Sequence, residues 1–133
     1  MCYCLASTKP CTNSNEGDRS KADRSPFFMK KIECYVREAD VPVLVEALAK
    51  TGVGGVSLYP VQGFGRQQGR GKGTLLPKIK VEVFTLDIET EYVLGTILDV
   101  THRGNFGDGK IAVLPVDDVI RIRTGEKGAK AVF

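Results

Sequence analysis

The 133-residue sequence has one histidine, no tryptophan and no long apolar run, and each of these shortages excludes a class of protein. A single histidine, His102, excludes a metal centre built from several histidines of one chain. Any Ser/His or Cys/His catalytic relay would have to use that same residue. No stretch approaches the roughly 20 apolar residues that a membrane helix needs, so we expect no direct membrane insertion. The net charge of +3 is too small to indicate nucleic-acid binding by itself.

Cysteine is scarce in the patterned part of the chain. Cys2, Cys4 and Cys11 lie near the start and Cys34 stands alone, whereas a disulfide-built domain spreads its cysteines through the fold. Three clustered cysteines could bind a soft metal, but no fourth ligand follows at zinc-site spacing, so reduced thiols are the favoured interpretation. We expect Cys34 to be a small core residue.

Residues 1–28 are predicted to form a disordered N-terminal extension, because polar residues dominate them and their apolar residues have no period. They lack the apolar core of a secretory signal, and Glu16, Asp18 and Asp23 are untypical of a transit peptide, so a cytoplasmic location is expected. A start site at Met29 is an alternative interpretation. Residues 29–133 have the length of one domain.

Hydrophobic periodicity predicts strands and helices in this domain. Two-residue alternation predicts strands at 31–37, 56–61, 78–84, 110–114 and 119–123. A helical stripe predicts one helix that begins after Asp40, the expected N-cap, and a second helix at 89–101. Pro60 cannot donate a ladder hydrogen bond, which places the second strand at a sheet edge or at a bulge.

This order of elements predicts an α+β fold, the ferredoxin-like βαββαβ sandwich, with two helices on one face of an antiparallel sheet and a final short strand. Two short helices cover only one face of such a sheet. The other face needs a partner, so oligomerisation is expected.

Two glycine-rich segments between these elements are the candidate chemical sites. Residues 63–73 contain five glycines, and residues 63–80 carry five cations and no acid, which predicts a mobile basic loop. Residues 103–109 form the second segment. Glycine lets successive N–H groups approach an anion, and Arg66, Lys110, Arg121 and Arg123 could neutralise a polyphosphate. Neither segment matches the Walker A spacing or a dinucleotide fingerprint, so plain turns are the alternative.

Four short motifs follow one another along the domain: Met29-Lys-Lys-Ile-Glu, Gly63-Phe-Gly-Arg-Gln, Gly107-Asp-Gly-Lys and Arg121-Ile-Arg-Thr-Gly-Glu. In this order and spacing they resemble the PII nitrogen-regulatory signal proteins. The resemblance implies a homotrimer that binds ATP or ADP in clefts between subunits, with Mg and 2-oxoglutarate in many members. It also implies control of nitrogen-metabolism enzymes or membrane transporters through a flexible loop, here residues 63–78.

The resemblance further implies roles for single residues. Positions near adenine and ribose are Gly55, Ser57 and Glu82, and positions near the phosphates are Gly65, Arg66, Gln67, Gly107, Asp108, Gly109 and Lys110. Arg121 and Arg123 match arginines that reach the phosphates across the subunit interface. Gln67 matches a metal-linked position, and Lys78 matches the position that pairs with 2-oxoglutarate.

The basic loop departs from the family pattern. The segment between Gln67 and Lys78 is shorter than usual and contains no Tyr or Ser, only Thr74, so uridylylation of a loop tyrosine is not expected. The short loop leaves the second effector open between 2-oxoglutarate and bicarbonate, the latter in a sensor linked to carbon metabolism. A slow ATPase is the remaining alternative. The sequence offers no activated nucleophile and no general base, so we expect no enzyme.

The sequence leaves two possible roles open for some side chains near these motifs. Tyr35, Phe64 and Phe106 either stack on adenine or pack in a core or interface. Asp108 is either a metal ligand or a turn-forming residue. His102 is expected to complement the dipole at a helix C-terminus rather than to act as a base.

Overall fold

The computed structural model describes residues 28–65 and 74–133. The elements are strand β1 (Met29–Val36), a 3-10 turn (Glu38–Asp40), helix α1 (Val41–Lys50), strands β2 (Ser57–Gly63) and β3 (Leu76–Leu86), helix α2 (Asp87–Thr101), strand β4 (Lys110–Val116) and helix α3 (Ala129–Val132). Residues 1–27 of the predicted N-terminal extension and residues 66–73 of the basic loop, with Arg66 and Gln67, lie outside the described residues. None of the helices in the described part of the chain has the length and apolar character to cross a membrane.

The four strands form one antiparallel sheet in the order β2-β3-β1-β4. Helices α1 and α2 pack together and supply core residues to one face of it. This is the predicted ferredoxin-like arrangement. Strand β2 lies at an edge, where Pro60 costs no ladder hydrogen bond to a second neighbour.

The core lies between the helices and the face of the sheet that they cover. Its members alternate along the strands and recur at helical spacing, and each is at most 2% exposed: Ile32, Cys34, Val36, Leu44, Leu48, Val81, Val83, Val93 and Ile97. The prediction that Cys34 belongs to the core is confirmed. Burial raises the pKa of its thiol to about 11, which keeps that thiol protonated and unreactive at neutral pH.

The opposite side of the sheet, here called the open face, carries four alternating charges. Lys31 lies 2.9 Å from both Glu33 and Glu82, and Lys80 lies 3.3 Å from Glu82 and 3.5 Å from Glu33. Hydrogen bonds, first from Lys31, hold the pKa of Glu82 below its usual value. Four partly exposed apolar and aromatic side chains surround these charges: Tyr35, Tyr59, Phe84 and Leu114. The open face is therefore a cluster of paired charges with an apolar and aromatic rim.

The predicted fifth strand at 119–123 is wrong. Only an isolated bridge joins Ile120 to Lys127, and the chain between them turns back through hydrogen bonds from Arg121 N to Glu126 O (2.9 Å) and from Gly125 N to Arg121 O (2.7 Å). Gly125 has a φ of +74°, which allows that turn. The apolar side of the alternation finds no core, since Ile122 is 98% exposed.

The short helix α3 was not predicted from the sequence. Its Val132 packs with Met29 and Leu86 in a second apolar cluster, at one end of the sheet. The carbonyl oxygen of Val132 approaches Gly54 so closely that a Cβ at position 54 would lie 2.2 Å from it. The C-terminal segment is therefore fastened at the end of the sheet where β1 begins and β3 and β4 end.

The prediction that Asp40 caps helix α1 is also wrong. Asp40 stands at the N-cap position, but its side chain makes no capping hydrogen bond and its backbone is already helical (φ −83°, ψ −17°). An N-cap oxygen normally accepts from the N–H of the second or third helical residue, and Pro42, the second, has none. Asp40 is instead 4% exposed and accepts a hydrogen bond of 2.8 Å from Arg103.

Candidate functional site

A cleft of about 410 Å³ opens where β1 and β2 end beside the first residues of β3 and β4. Five of the predicted site residues line it, namely Gly65, Lys78, Gly107, Gly109 and Lys110. The aromatic side chains of Tyr35 and Phe64 also reach it. The topology thus brings the base of the basic loop and the second glycine-rich segment to one place.

Asp108 organises the glycine-rich segment, here called the 103–109 loop. Its Oδ2 accepts hydrogen bonds from three successive backbone N–H groups, those of Arg103 (2.8 Å), Gly104 (2.9 Å) and Asn105 (3.3 Å). Its Oδ1 accepts from Arg37 at 2.8 Å. These bonds, first the one from the Arg103 backbone, hold the pKa of Asp108 well below its usual range. The geometry therefore gives Asp108 the turn-forming role.

Glycine is required in the 103–109 loop on steric grounds. Gly107 and Gly109 have φ values of +96° and +102°, a region that residues with a Cβ rarely adopt. A Cβ on Gly109 would lie 1.7 Å from the carbonyl oxygen of Tyr35, so the loop runs directly against the end of β1. The glycines leave bare backbone on the wall of the cleft, which is what an approaching anion needs.

Cations face this backbone. Lys78 donates to the carbonyl oxygen of Gly107 at 2.6 Å, and burial together with the charge of Arg37 lowers the pKa of Lys78. Arg37 also donates to the carbonyl oxygen of Phe106 at 3.3 Å. Lys110 lines the cleft and is exposed. Three cations, Arg37, Lys78 and Lys110, thus lie near one carboxylate of the loop, that of Asp108. The positive charge exceeds the negative charge of that carboxylate, which suits this end of the sheet to a polyanion.

The other predicted residues lie elsewhere in the chain. Arg121 donates to Glu126 (2.7 Å) and to the carbonyl oxygen of Lys130 in α3 (2.8 Å), so it belongs to the opposite end of the sheet from the cleft. Strand β4 separates the two ends, and its seven residues span about 20 Å. Arg123 follows in the same turn.

The three residues predicted near adenine and ribose, Gly55, Ser57 and Glu82, do not line the cleft either. Gly55 adjoins Gly54, which contacts the C-terminal segment, and Ser57 pairs with Glu82 across β2 and β3. Glu82 is part of the ion-pair group on the open face. The described site residues therefore form two main groups on one chain, those at the cleft and the arginine pair at the other end of the sheet, and Glu82 belongs to neither.

Three residues that fix the 103–109 loop were not predicted as site residues from the sequence: Arg37 and Asp40, which lie outside it, and Arg103, its first residue. Their ion pairs join positions 71 residues apart (Arg37 to Asp108) and 63 apart (Arg103 to Asp40). No local pattern signals such a pairing, because it depends on the fold bringing the two segments together.

The family comparison agrees with this architecture. A family model described as nitrogen regulatory protein P-II matches residues 29–126. The chain belongs to the PII family. The PII protein of Azospirillum brasilense is 42% identical, over 78% of this chain and the whole of that protein. The Arabidopsis thaliana PII homologue is 35% identical over 98% of this chain and 74% of that protein.

Solved PII structures have the same fold. Arabidopsis thaliana PII bound to citrate superposes with a TM-score of 0.68 at 39% identity, over 78% of this chain and 89% of that one. The GlnK–ATP complex of B. subtilis gives 0.72 at 32% identity, over 80% of this chain and 98% of that one. The fold and the regulatory class of this PII protein follow from these matches.

Protonation of Asp108 at low pH should weaken the hydrogen bonds that hold the 103–109 loop. Because the folded state holds the pKa of Asp108 below its ordinary value of 3.8, its bonds contribute stability above about pH 4 that is lost as the pH falls further. We expect Asp108→Asn to lower the free energy of unfolding at pH 7 and to lower it by clearly less at pH 2.5, where the carboxylate of the unfolded chain is already protonated. Urea unfolding at both pH values measures the difference. Asp117→Asn, at an exposed carboxylate, is the control, and a pH-independent cost at Asp108 would contradict the assignment.

Proposed function

We propose that this PII protein senses adenine nucleotides, and that ATP or ADP occupies the cleft beside the 103–109 loop. The protein would act as a homotrimer and pass its state to a target enzyme or a membrane transporter through the loop at 63–78. It would work by contact rather than by catalysis. The observation that carries this proposal is the wall of the cleft, where bare glycine backbone meets Lys78 and Lys110.

The chemistry of that wall suits a polyphosphate. Gly107 and Gly109, whose positive φ values favour glycine, place no side chain in the anion path, and the nearby ammonium groups offset the charge of the phosphates. Tyr35 and Phe64 supply aromatic faces at the same cleft. The B. subtilis relative was solved as a complex with ATP, which supports the same ligand here.

The distance between the two residue groups supports a shared site. Arg121 and Arg123 lie beyond the far end of β4, too distant to touch a nucleotide in the cleft of the same chain. A neighbouring copy, docked through the open face, would bring its own arginines to that nucleotide. The ion pairs and aromatic rim of the open face would be buried in the same step. A homotrimer of the ferredoxin-like unit meets both requirements.

Discrimination between ATP and ADP would come from the base of the basic loop. A γ-phosphate, with Mg held at Gln67, would contact that base and Arg66, and these contacts would shift the loop between two populations. A carboxylate effector such as 2-oxoglutarate would compete with the Gly107 carbonyl for Lys78. The Arabidopsis relative was solved with citrate, which supports a carboxylate as the second effector. Bicarbonate is the alternative.

Titration calorimetry on the full chain tests the proposal. ATP, ADP and AMP are titrated with and without 2-oxoglutarate or bicarbonate, and light scattering reports the oligomeric state. We expect a trimer that binds ATP and ADP with little turnover. A monomer that ignores all three nucleotides would refute the proposal, and rapid multiple turnover would make the protein an ATPase instead.

A further inference from the structure

Four side chains of alternating charge join behind the 103–109 loop. Arg37 binds Asp108, Asp108 binds the backbone N–H of Arg103, and the guanidinium of Arg103 binds both carboxylate oxygens of Asp40. We call this group the clamp. It connects the loop to the residues that follow β1, on elements 63 to 71 residues away in sequence.

The Asp40–Arg103 pair joins a buried carboxylate to a partly exposed guanidinium. Asp40 is 4% exposed, and Arg103 approaches it with both terminal nitrogens, at 2.8 Å for Nη1. The hydrogen bond from Arg103 lowers the pKa of Asp40, which keeps the pair charged. Two-pronged guanidinium–carboxylate contacts fix direction as well as distance. The pair therefore holds the first residue of the loop in one orientation.

The rest of the loop is held through its backbone, by the bonds from Lys78 to the Gly107 carbonyl and from Arg37 to the Phe106 carbonyl. Gly104, Gly107 and Gly109 supply no side chains, and Asn105 and Phe106 are exposed. A glycine-rich segment of this kind loses much conformational entropy when it is ordered. Without the clamp, the loop would become ordered only when a ligand binds, and the entropy lost in that ordering would lower the affinity for the ligand.

We propose that Asp40 and Arg103 are positioning residues for the cleft. Neither lines it, and both act through Asp108 and the loop backbone to hold the amides of Gly107 and Gly109 in place before a polyphosphate arrives. This inference rests on the proposed nucleotide site and adds residues to it that the sequence comparison did not suggest. A positioning role predicts that the clamp matters for the phosphates of the ligand and not for its adenosine part.

The test compares ATP with adenosine on the full chain by calorimetry. Arg103→Ala should weaken ATP binding by about tenfold, since ordering the loop would then fall to the ligand, and should leave adenosine binding within about twofold. Arg103→Lys, which keeps the charge, should recover part of the loss. Lys50→Ala removes an exposed cation paired with Glu46 in α1 and should change neither affinity.

Because Arg103→Ala leaves Asp40 buried and unpaired, the same titrations are made with the double variant Asp40→Asn, Arg103→Ala, which has no stranded charge. Selective loss of ATP affinity in the variant that folds supports the clamp. Equal losses for ATP and adenosine, or no loss at all, overturn it. If the wild-type protein does not bind ATP, both the proposed function and this inference are wrong. If the wild type binds and the variants bind equally well, only the inference fails.

Discussion

Gly109→Val should lower the affinity for ATP by about a hundredfold or more. The new side chain would start 1.7 Å from the carbonyl oxygen of Tyr35, at a φ of +102° that valine does not tolerate. The 103–109 loop would have to leave the end of β1, and the amides proposed to receive the phosphates would move with it. Overpacking and backbone strain of this size cost several kcal/mol together, which is enough for the loss.

Calorimetry with ATP measures this effect, and Gly104→Ala is the matched control. Gly104 lies in the same loop with a φ of +75°, but a Cβ there meets nothing within 4 Å. The control therefore carries backbone strain without a collision and should lose much less affinity. Circular dichroism and thermal melts show whether the Gly109 variant keeps its fold. A folded Gly109→Val protein with nearly normal ATP affinity would refute the site.

Arg123→Ala should weaken ATP binding roughly ten- to hundredfold and leave thermal stability unchanged. Arg123 is exposed in the single chain, whereas Arg121 bonds Glu126 and Lys130 and so also serves the C-terminal turn. Removal of a guanidinium that contacts phosphate costs about 1.5 to 3 kcal/mol of binding. Arg123 is therefore the better of the two residues for separating ligand binding from folding.

The measurement is again the ratio of ATP to adenosine affinity. Lys127→Ala, which removes a nearby exposed cation, is the control and should have little effect. Equal affinity of wild type and Arg123→Ala for ATP would remove Arg123 from the site. An equal fall for adenosine would show that the substitution acts on the fold and not on a phosphate contact.

Most of the sheet and both long helices were predictable, because their periodicity is set by burial. Ile32, Cys34 and Val36 face the helices at every second position, and Leu44 and Leu48 recur one turn apart. The same rule failed at 119–123, where the alternation is real but Gly125 turns the chain before a neighbouring strand can pair with it. Alternation predicts which residues could be buried together, not whether a partner is present.

The candidate site was predictable only in part. Glycines with nearby cations signalled the 103–109 loop, and the cleft does gather Gly65, Lys78 and Lys110 beside it. The hydrogen bond between Asp40 and Arg103 could not be predicted from the sequence, because the sequence pattern favoured a helix-capping role for Asp40. The roles of Arg66 and Gln67, outside the described residues, stay predictions from the family resemblance.

The separation of the two residue groups along β4 also has no sequence signal. Family resemblance implied that Arg121 and Arg123 act across a subunit interface, but periodicity alone would have allowed them beside their own glycine loop. The structure places about 20 Å of strand between the cleft and the C-terminal turn, and the action of these arginines across an interface stays a proposal.

Mixing two defective variants tests the shared site most directly. Gly109→Val chains would retain a working Arg123, and Arg123→Ala chains would retain a working loop, so a mixed trimer would contain an intact cleft made from one half of each. The two variants, carrying different tags, are co-expressed, and the doubly tagged assemblies are titrated with ATP. We expect the mixture to bind ATP tightly, which neither variant does alone. Mixed assemblies that bind no better than their parents would contradict it.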